Sequence, residues 1–165
     1  MATTQPEGNS LRQDIEHMIQ AMDLRGLLNK AGELHGHLCN YLAYGVMGAT
    51  SAVRDLGVRN TGMEEVVAIV ETNNCFTDGV QIVSGCSFGN NALVYRDIGK
   101  TAFSLVKKDG DGVRYILDPE FEDSRPQVYP EAYALWNQLI VEKKDATPDA
   151  FAQMMNLFHD MTLSE

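Results

Sequence analysis

The segment His35-Gly36-His37-Leu38-Cys39 places two imidazoles and a thiol within five residues. Imidazole nitrogen and thiolate sulfur suit zinc, iron, nickel and copper, and a catalytic zinc site uses three protein groups while keeping one position open. The other two cysteines follow in Asn73-Asn74-Cys75-Phe76-Thr77-Asp78-Gly79 and in Ser84-Gly85-Cys86. His37, Cys39 and Cys75 supply three donors for a transition metal, with zinc the first choice, and His35 is a fourth candidate. If a helix runs through the first motif, His35 and Cys39 share one face and His37 points elsewhere. Sequence leaves the choice between the two histidines open.

Cys75 has a second reason to be reactive. It follows a β-branched run and precedes a helical pattern over residues 78–84. The unpaired N–H groups and dipole of a helix N-terminus stabilise a thiolate, which makes Cys75 the preferred nucleophile or metal ligand. Asp78 is either a capping carboxylate or a proton-transfer group beside it, and both are carried as catalytic candidates. Gln81, within the next turn, orients a ligand or packs. Lys100, in Asp97-Ile98-Gly99-Lys100, either brings a cation to an anionic ligand or is a solvated strand-end lysine. The longer Gly-x-x-x-x-Gly-Lys-Ser/Thr pattern is missing, so a nucleotide triphosphatase is rejected.

Against these readings stands the ordinary buried cysteine, which behaves as a small hydrophobe and weighs most at Cys86. His17 lies off its apolar stripe beside Glu16 and reads as solvated. His159 reads as a surface or helix-end residue, and the methionine pairs near it as core filler.

The composition narrows the function classes. Of 165 residues, 13 are Lys or Arg and 23 are Asp or Glu, for a formal charge of -10. Such a chain is not drawn to a polyphosphate backbone, so nucleic acid is not an expected partner. No apolar run approaches the roughly 20 residues that a membrane-spanning helix requires, and no secretory leader is apparent. Three cysteines, an odd number, fit reduced or metal-bound thiols better than a disulfide framework. A soluble cytoplasmic protein without a membrane partner is the expectation.

The elements that must position the donors come from periodicity and turn signals. Residues 1–9 read as a flexible leader and 10–165 as one domain. Ser10 is a candidate cap for a helix over 11–22, in which Leu11, Ile15, Met18, Ile19 and Met22 recur at helical spacing. A second helix over 23–33 carries the chain to His35. A third, over 42–56, is apolar on most faces and contains Gly45 and Gly48. Each glycine costs a helix about 0.8 to 1 kcal/mol relative to alanine, so close packing on another backbone is expected, in a helix pair or a dimer seam.

Strands are predicted over 65–72, 92–96, 101–107 and 113–117, the last two joined through Asp109-Gly110-Asp111-Gly112 as a hairpin. Three or four antiparallel strands follow. Beyond Asp118-Pro119 the pattern reads as a polar linker with Pro126 and Pro130. Helices over 130–144 and 148–161 come next, the latter with Thr147 as N-cap.

His-Gly-His-x-Cys at 35–39, Asn-Cys-x-x-Asp-Gly-x-Gln at 74–81, Gly-Cys at 85–86 and Asp-Ile-Gly-Lys-Thr-Ala-Phe at 97–103 together resemble the FmdE family, named for a component of formylmethanofuran dehydrogenase. The resemblance spans roughly residues 30–118, with four motifs in register. It implies an α+β fold in which helices pack on an antiparallel sheet, an intertwined homodimer, and a metal or active site at the His/Cys cluster. It also implies an association with molybdenum or tungsten redox enzymes. Two positions depart from the family pattern: Cys-Pro-Gly is replaced by Cys39-Asn40-Tyr41, and Leu34 stands where an aromatic usually precedes the first histidine. Some relatives carry a C-terminal zinc finger, whereas residues 119–165 hold no cysteine.

Two functions of different class follow. The first is a small metalloprotein whose Cys/His site acts on or carries a small-molecule ligand or cofactor. The second is a non-catalytic accessory protein that delivers a metal, or a metal-bearing cofactor such as haem, to a redox enzyme. A structural dimer with redox-sensitive thiols is a third.

Overall fold

A computed structural model describes residues 11–164, so the leader over 1–9 and the Ser10 cap lie outside the described residues. Helix α1 (Gln13–Ala21) buries Ile19. Helix α2 (Leu24–His35) starts where the Asp23 carboxylate accepts from the Gly26 N–H at 2.9 Å, and it buries Leu27, Leu28 and Ala31. Helix α3 (Asn40–Leu56) is the long apolar helix of the sequence pattern and ends at Gly57. Strand β1 (Val66–Val70), helix α4 (Cys75–Ser84) and strand β2 (Leu93–Tyr95) follow, then the hairpin β3 (Ala102–Lys107) and β4 (Gly112–Ile116).

The sheet order is β2-β1-β3-β4. The predicted hairpin forms, with Phe103 opposite Tyr115 and Leu105 opposite Val113. β1 pairs antiparallel with β3, but β2 runs parallel to β1, Ala68 facing Leu93. The sheet is therefore mixed, not wholly antiparallel as expected. The cause is the connection: α4 is a crossover that returns the chain to the starting end of β1, and a strand entered that way pairs in parallel.

Helices α3 and α4 cross at two glycines. A Cβ on Gly45 would overlap the Phe76 carbonyl oxygen, and one on Gly79 would lie 2.5 Å from the Leu42 carbonyl oxygen and 2.7 Å from the Val46 nitrogen. The close helix pair expected from Gly45 thus lies within one chain, and the glycine argument for a dimer seam lapses. The core around this crossing contains Leu42, Val46 and Ala49 from α3, Val80 and Val83 from α4, and Val66, Phe103 and Leu105 from the sheet.

Polar contacts lock the ends of these elements. The Arg12 guanidinium donates from Nη2 to the carbonyls of Ile82 and Val83, both at 2.8 Å, closing the last turn of α4. Glu71, just after β1, is buried and holds Arg114 of β4 bidentately at 2.6 and 2.8 Å. Its carbonyl accepts from the N–H groups of Ile98 and Gly99, which anchors the loop leading to Lys100.

The predicted linker after residue 118 is instead helical. Asp118 caps α5 (Pro119–Val128) by accepting from the Glu120 N–H at 2.9 Å, with Pro119 in the first turn and Pro126 inside. Proline at the first helical position needs no donor, which is why a proline-rich stretch still forms a helix here. Helix α6 (Pro130–Trp136) continues into a π-helical turn (Asn137–Val141), and α7 (Pro148–Ser164) begins with Thr147 Oγ1 accepting from the Ala150 N–H at 3.2 Å. These helices share a small core of their own: Ala132, Leu139, Met154, Phe158 and Met161.

Candidate metal centre and adjoining cleft

Three helix ends converge on the His/Cys motifs. His35 is the last residue of α2, and Gly36 ends that helix in the left-handed conformation, φ +91°. A side chain at that position would be strained, so glycine is what lets the chain reverse between the two histidines. Leu38 turns back onto α2, its Cδ2 lying where a Cβ on Gly32 would be only 2.6 Å away. Cys39 is then the N-cap of α3, and Cys75 is the first residue of α4, whose cap is Asn74 accepting from the Phe76 N–H at 3.1 Å. No single helix runs through residues 35–39, so His35 and Cys39 come together by a turn and not by sharing a helical face.

The result is a cluster. The donor atoms of His35, His37, Cys39 and Cys75 all lie within 4.8 Å of one another. Cys39 is buried, His35 and Cys75 are half-buried and His37 is exposed. The imidazole rings of His35 and His37 stand 4.4 Å apart between centroids. Both thiols sit at helix N-termini, where the dipole favours sulfur as the anion.

Asp78 and Gln81 take roles that spacing alone left open. Asp78 Oδ2 lies 2.7 Å from His35 Nδ1, and Gln81 Nε2 donates to Asp78 Oδ1 at 2.9 Å. A carboxylate only accepts, so Nδ1 carries a proton toward Asp78, and Nε2 offers a lone pair once the ring is neutral. His35 Nε2 is buried and has no hydrogen-bond partner. A buried imidazole nitrogen without a partner, set beside two thiols, is what a metal ligand presents, and a carboxylate on the other ring nitrogen is the common support for such a ligand. The donor set fits a tetrahedral zinc site of two thiolates and two imidazoles.

The electrostatics are those of a shared proton. The Cys75 thiol is pushed down to about 5, first by the hydrogen bond from Cys39, with His35 and His37 adding to it. Cys39 is correspondingly pushed up, by donating that bond and by burial. Burial works against a charged His35, but its hydrogen bond to Asp78 and the neighbouring Cys75 leave its pKa raised. Cys86 lies past the end of α4, fully buried, near Asn60 Nδ2 at 3.5 Å, and burial pushes its thiol up. It stands apart from the cluster.

Metal-free protein should accordingly show one fast thiol. Alkylation proceeds through the thiolate, so from about pH 8 to about pH 6 an ordinary cysteine loses roughly a hundredfold in rate. Cys75 should stay nearly flat over that range and lose half its rate only near pH 5. Timed iodoacetamide labelling with peptide mass spectrometry reads this directly, and a Cys75 profile that tracks Cys86 would refute it.

A cleft of about 450 Å3 opens beside the cluster, with His35, Cys75, Asp78, Gln81 and the amides of Asn73 and Asn74 among its walls. Phe88 and Tyr95 are partly exposed at it. Sequence patterns do not single out Asn73, Phe88 or Tyr95. The Asn73-Asn74 pair after a β-branched strand is the one local signal that points there. Lys100 is not brought to the cluster or this cleft; it is exposed, and its charge acts on Glu71. His17 is exposed on α1, and His159 lies on α7 beside Asp160.

A family model described as FmdE, molybdenum formylmethanofuran dehydrogenase operon, matches residues 34–162, from the residue before His35 into the last helix. The chain belongs to the FmdE family. A relative from Archaeoglobus fulgidus, named "Probable S-adenosyl-L-methionine-binding protein", is 43% identical over 132 residues. That alignment takes in 77% of this FmdE-family chain but only 36% of the relative's length. The crystal structure of a tungsten formylmethanofuran dehydrogenase FmdE-like protein from Syntrophus aciditrophicus superposes with a TM-score of 0.53 at 26% identity. The match covers 83% of this chain and 67% of that one. The α+β architecture is thus shared with another FmdE-like protein. Among the described residues, no helix is long and apolar enough to cross a membrane.

Proposed function

We propose that this FmdE-family protein holds a transition metal, zinc first among candidates, on His35, His37, Cys39 and Cys75, and presents it to a small organic ligand in the adjoining cleft. The carrying observation is the convergence of four donor atoms within 4.8 Å around a buried His35 Nε2 that has no partner. The bound ion would supply Lewis acidity or a thiolate-metal redox centre. The chain's own residues do the rest: Asp78 fixes the His35 ring, Gln81 fixes Asp78, and the N-termini of α3 and α4 position the two sulfurs, Cys75 already favoured as the thiolate.

S-adenosyl-L-methionine is the first ligand to test. The relative's name suggests it, and the cleft suits it, because its one lining carboxylate is Asp78 and its other polar walls, apart from the cluster residues, are amides and hydroxyls. A sulfonium cation is favoured by such a wall, whereas a phosphorylated nucleotide finds no cation among these lining residues. Phe88 and Tyr95 offer faces for the adenine ring. Metal analysis with an absorption spectrum should give up to one metal per chain, colourless for zinc, and calorimetry on the metal-loaded protein should detect S-adenosyl-L-methionine. A chain that takes up no metal removes the proposal. One that binds metal but not the ligand removes only its second half.

An accessory role, delivery of the metal or a metal cofactor to a molybdenum or tungsten enzyme, is favoured by one observation. His37 is exposed, so one donor of the set can be reached by an acceptor protein. Zinc passing to a metal-free molybdenum or tungsten enzyme faster than it is released to a small chelator, with that advantage lost in His37→Ala, would support it. A homodimer belongs to the same reading, and light scattering gives its mass directly.

Asp78→Asn tests the support of the histidine. Loss of such a partner typically lowers metal affinity by about 10- to 100-fold. Asp78→Asn should do so, as measured by chelator competition, while thermal unfolding of the metal-free protein changes little. Unchanged affinity would make Asp78 merely a first-turn residue of α4.

A further inference from the structure

We infer that Cys39 and Cys75 are also a dithiol–disulfide couple: a peroxide joins the two sulfurs, and the bond so formed expels the metal. The inference rests on the metal centre proposed above and adds its redox control. Cys39 heads α3 and Cys75 heads α4, and the crossing of these helices at Gly45 and Gly79 brings the two heads together. Their sulfurs lie within 4.8 Å of each other, with the Cys39 thiol donating to Cys75. A disulfide asks for about 2.05 Å between sulfurs. Rotation about each Cα–Cβ bond and a small shift of one terminal turn close that gap, because the crossing itself lies further along both helices. The third thiol is out of reach. Cys86 lies beyond the far end of α4, a helix of 10 residues, and a helix of that length puts about 15 Å between the two.

Access orders the steps. Cys75 is half-buried and lines the cleft of about 450 Å3, whereas Cys39 is buried and is not among its walls. Hydrogen peroxide therefore meets Cys75 first. The Cys75 thiolate attacks one peroxide oxygen: an S–O bond forms, the O–O bond breaks, and hydroxide leaves with the electron pair. The product is a sulfenic acid, which condenses with a neighbouring thiol. Cys39 is that neighbour. Its thiolate attacks the Cys75 sulfur, the S–S bond forms, the S–O bond breaks, and a second hydroxide leaves. Two thiolates have then lost one electron each, and one peroxide has taken up both. Thiolates are the sulfur ligands of metals, and Cys39 and Cys75 are half of the four donors. Closing the disulfide leaves only His35 and His37, too few to hold zinc where structural sites use four ligands.

The test treats the full zinc-loaded chain with hydrogen peroxide and follows two readouts: disulfide-linked peptides by mass spectrometry, and released zinc with a colorimetric chelator. A Cys39–Cys75 link and one zinc per link should appear in step, and dithiothreitol should reverse both. Cys86→Ser should match wild type in each. Metal-free Cys39→Ser should hold Cys75 at the sulfenic acid, so dimedone should label it at least about tenfold more than metal-free wild type, which closes to the disulfide. A protein that binds zinc but shows Cys75 fully oxidised with no link to Cys39 would overturn the inference and leave the metal centre standing. So would a link through Cys86, a link between two chains, or zinc lost before any link forms. A chain that takes up no zinc removes the expulsion step together with the metal centre; in that protein the link supports the couple and its absence refutes it.

Discussion

Cys75→Ser, Cys39→Ser and His35→Ala should each abolish stoichiometric metal binding, with losses larger than the about 10- to 100-fold typical when only a supporting residue is removed. The three side chains occupy helix ends that the fold holds in place: the C-terminus of α2 and the N-termini of α3 and α4. Each delivers its donor already ordered, and binding an ion there spends little conformational entropy. His37 differs, since it stands exposed in the short link after Gly36. His37→Ala should therefore cost less affinity than the other three. Inductively coupled plasma mass spectrometry and chelator competition measure both. Equal metal content in wild type, Cys75→Ser and Cys39→Ser would remove the assigned centre altogether.

Gly45→Ala and Gly79→Ala should each destabilise the protein by about 1 to 3 kcal/mol or more, the range for forcing extra methyl groups into a packed interior. At Gly79 the added carbon meets backbone atoms of Leu42, Gly45 and Val46 within 2.9 Å, and at Gly45 it meets the backbone of Phe76. Backbone cannot rotate aside as a side chain does, so α3 and α4 must separate. That displacement moves Cys39 and Cys75 apart, because each heads one of these helices. Both variants should thus lose melting temperature and metal affinity together. Gly57→Ala is the control: nothing lies within 4 Å of its Cβ position, so it should lose stability by backbone strain alone. Metal affinity retained in a destabilised Gly79→Ala protein would separate the helix crossing from the metal centre.

How much of the fold is legible in the chain follows from the range of the interactions involved. The inner faces of α1 and α2, the stop of α3 at Gly57 and the β3–β4 hairpin can all be read directly, because periodicity, caps and turns act over a few residues. The sequence pattern starts α4 at Asp78, whereas the helix starts at Cys75. Its first turn carries the polar Thr77 and Asp78, so hydrophobic periodicity does not show it. The parallel pairing of β2 is likewise hidden, since strand direction is set by the α4 crossover and not by the three residues of the strand itself. Pro126 and Pro130 suggest a linker, but the Asp118 cap and an N-terminal proline make the segment helical.

For the candidate site, the sequence by itself determined the inventory: two imidazoles and two thiols of metal-binding type, each set beside residues that end or begin helices. The resemblance to a known family ties the motifs together without any geometry. Only the tertiary structure decided which of them meet and how. Asp78 reaches His35 across 43 positions of sequence, so its place behind the histidine, and the buried Nε2 that this leaves without a partner, depend on how α2 and α4 pack. The same packing uses Gly45 and Gly79 within one chain, keeps Lys100 and Cys86 away from the cluster, and sets Arg125 in an aromatic cleft. Local chemistry chooses the donors, whereas contacts between distant segments, stabilised by the common core, choose their neighbours.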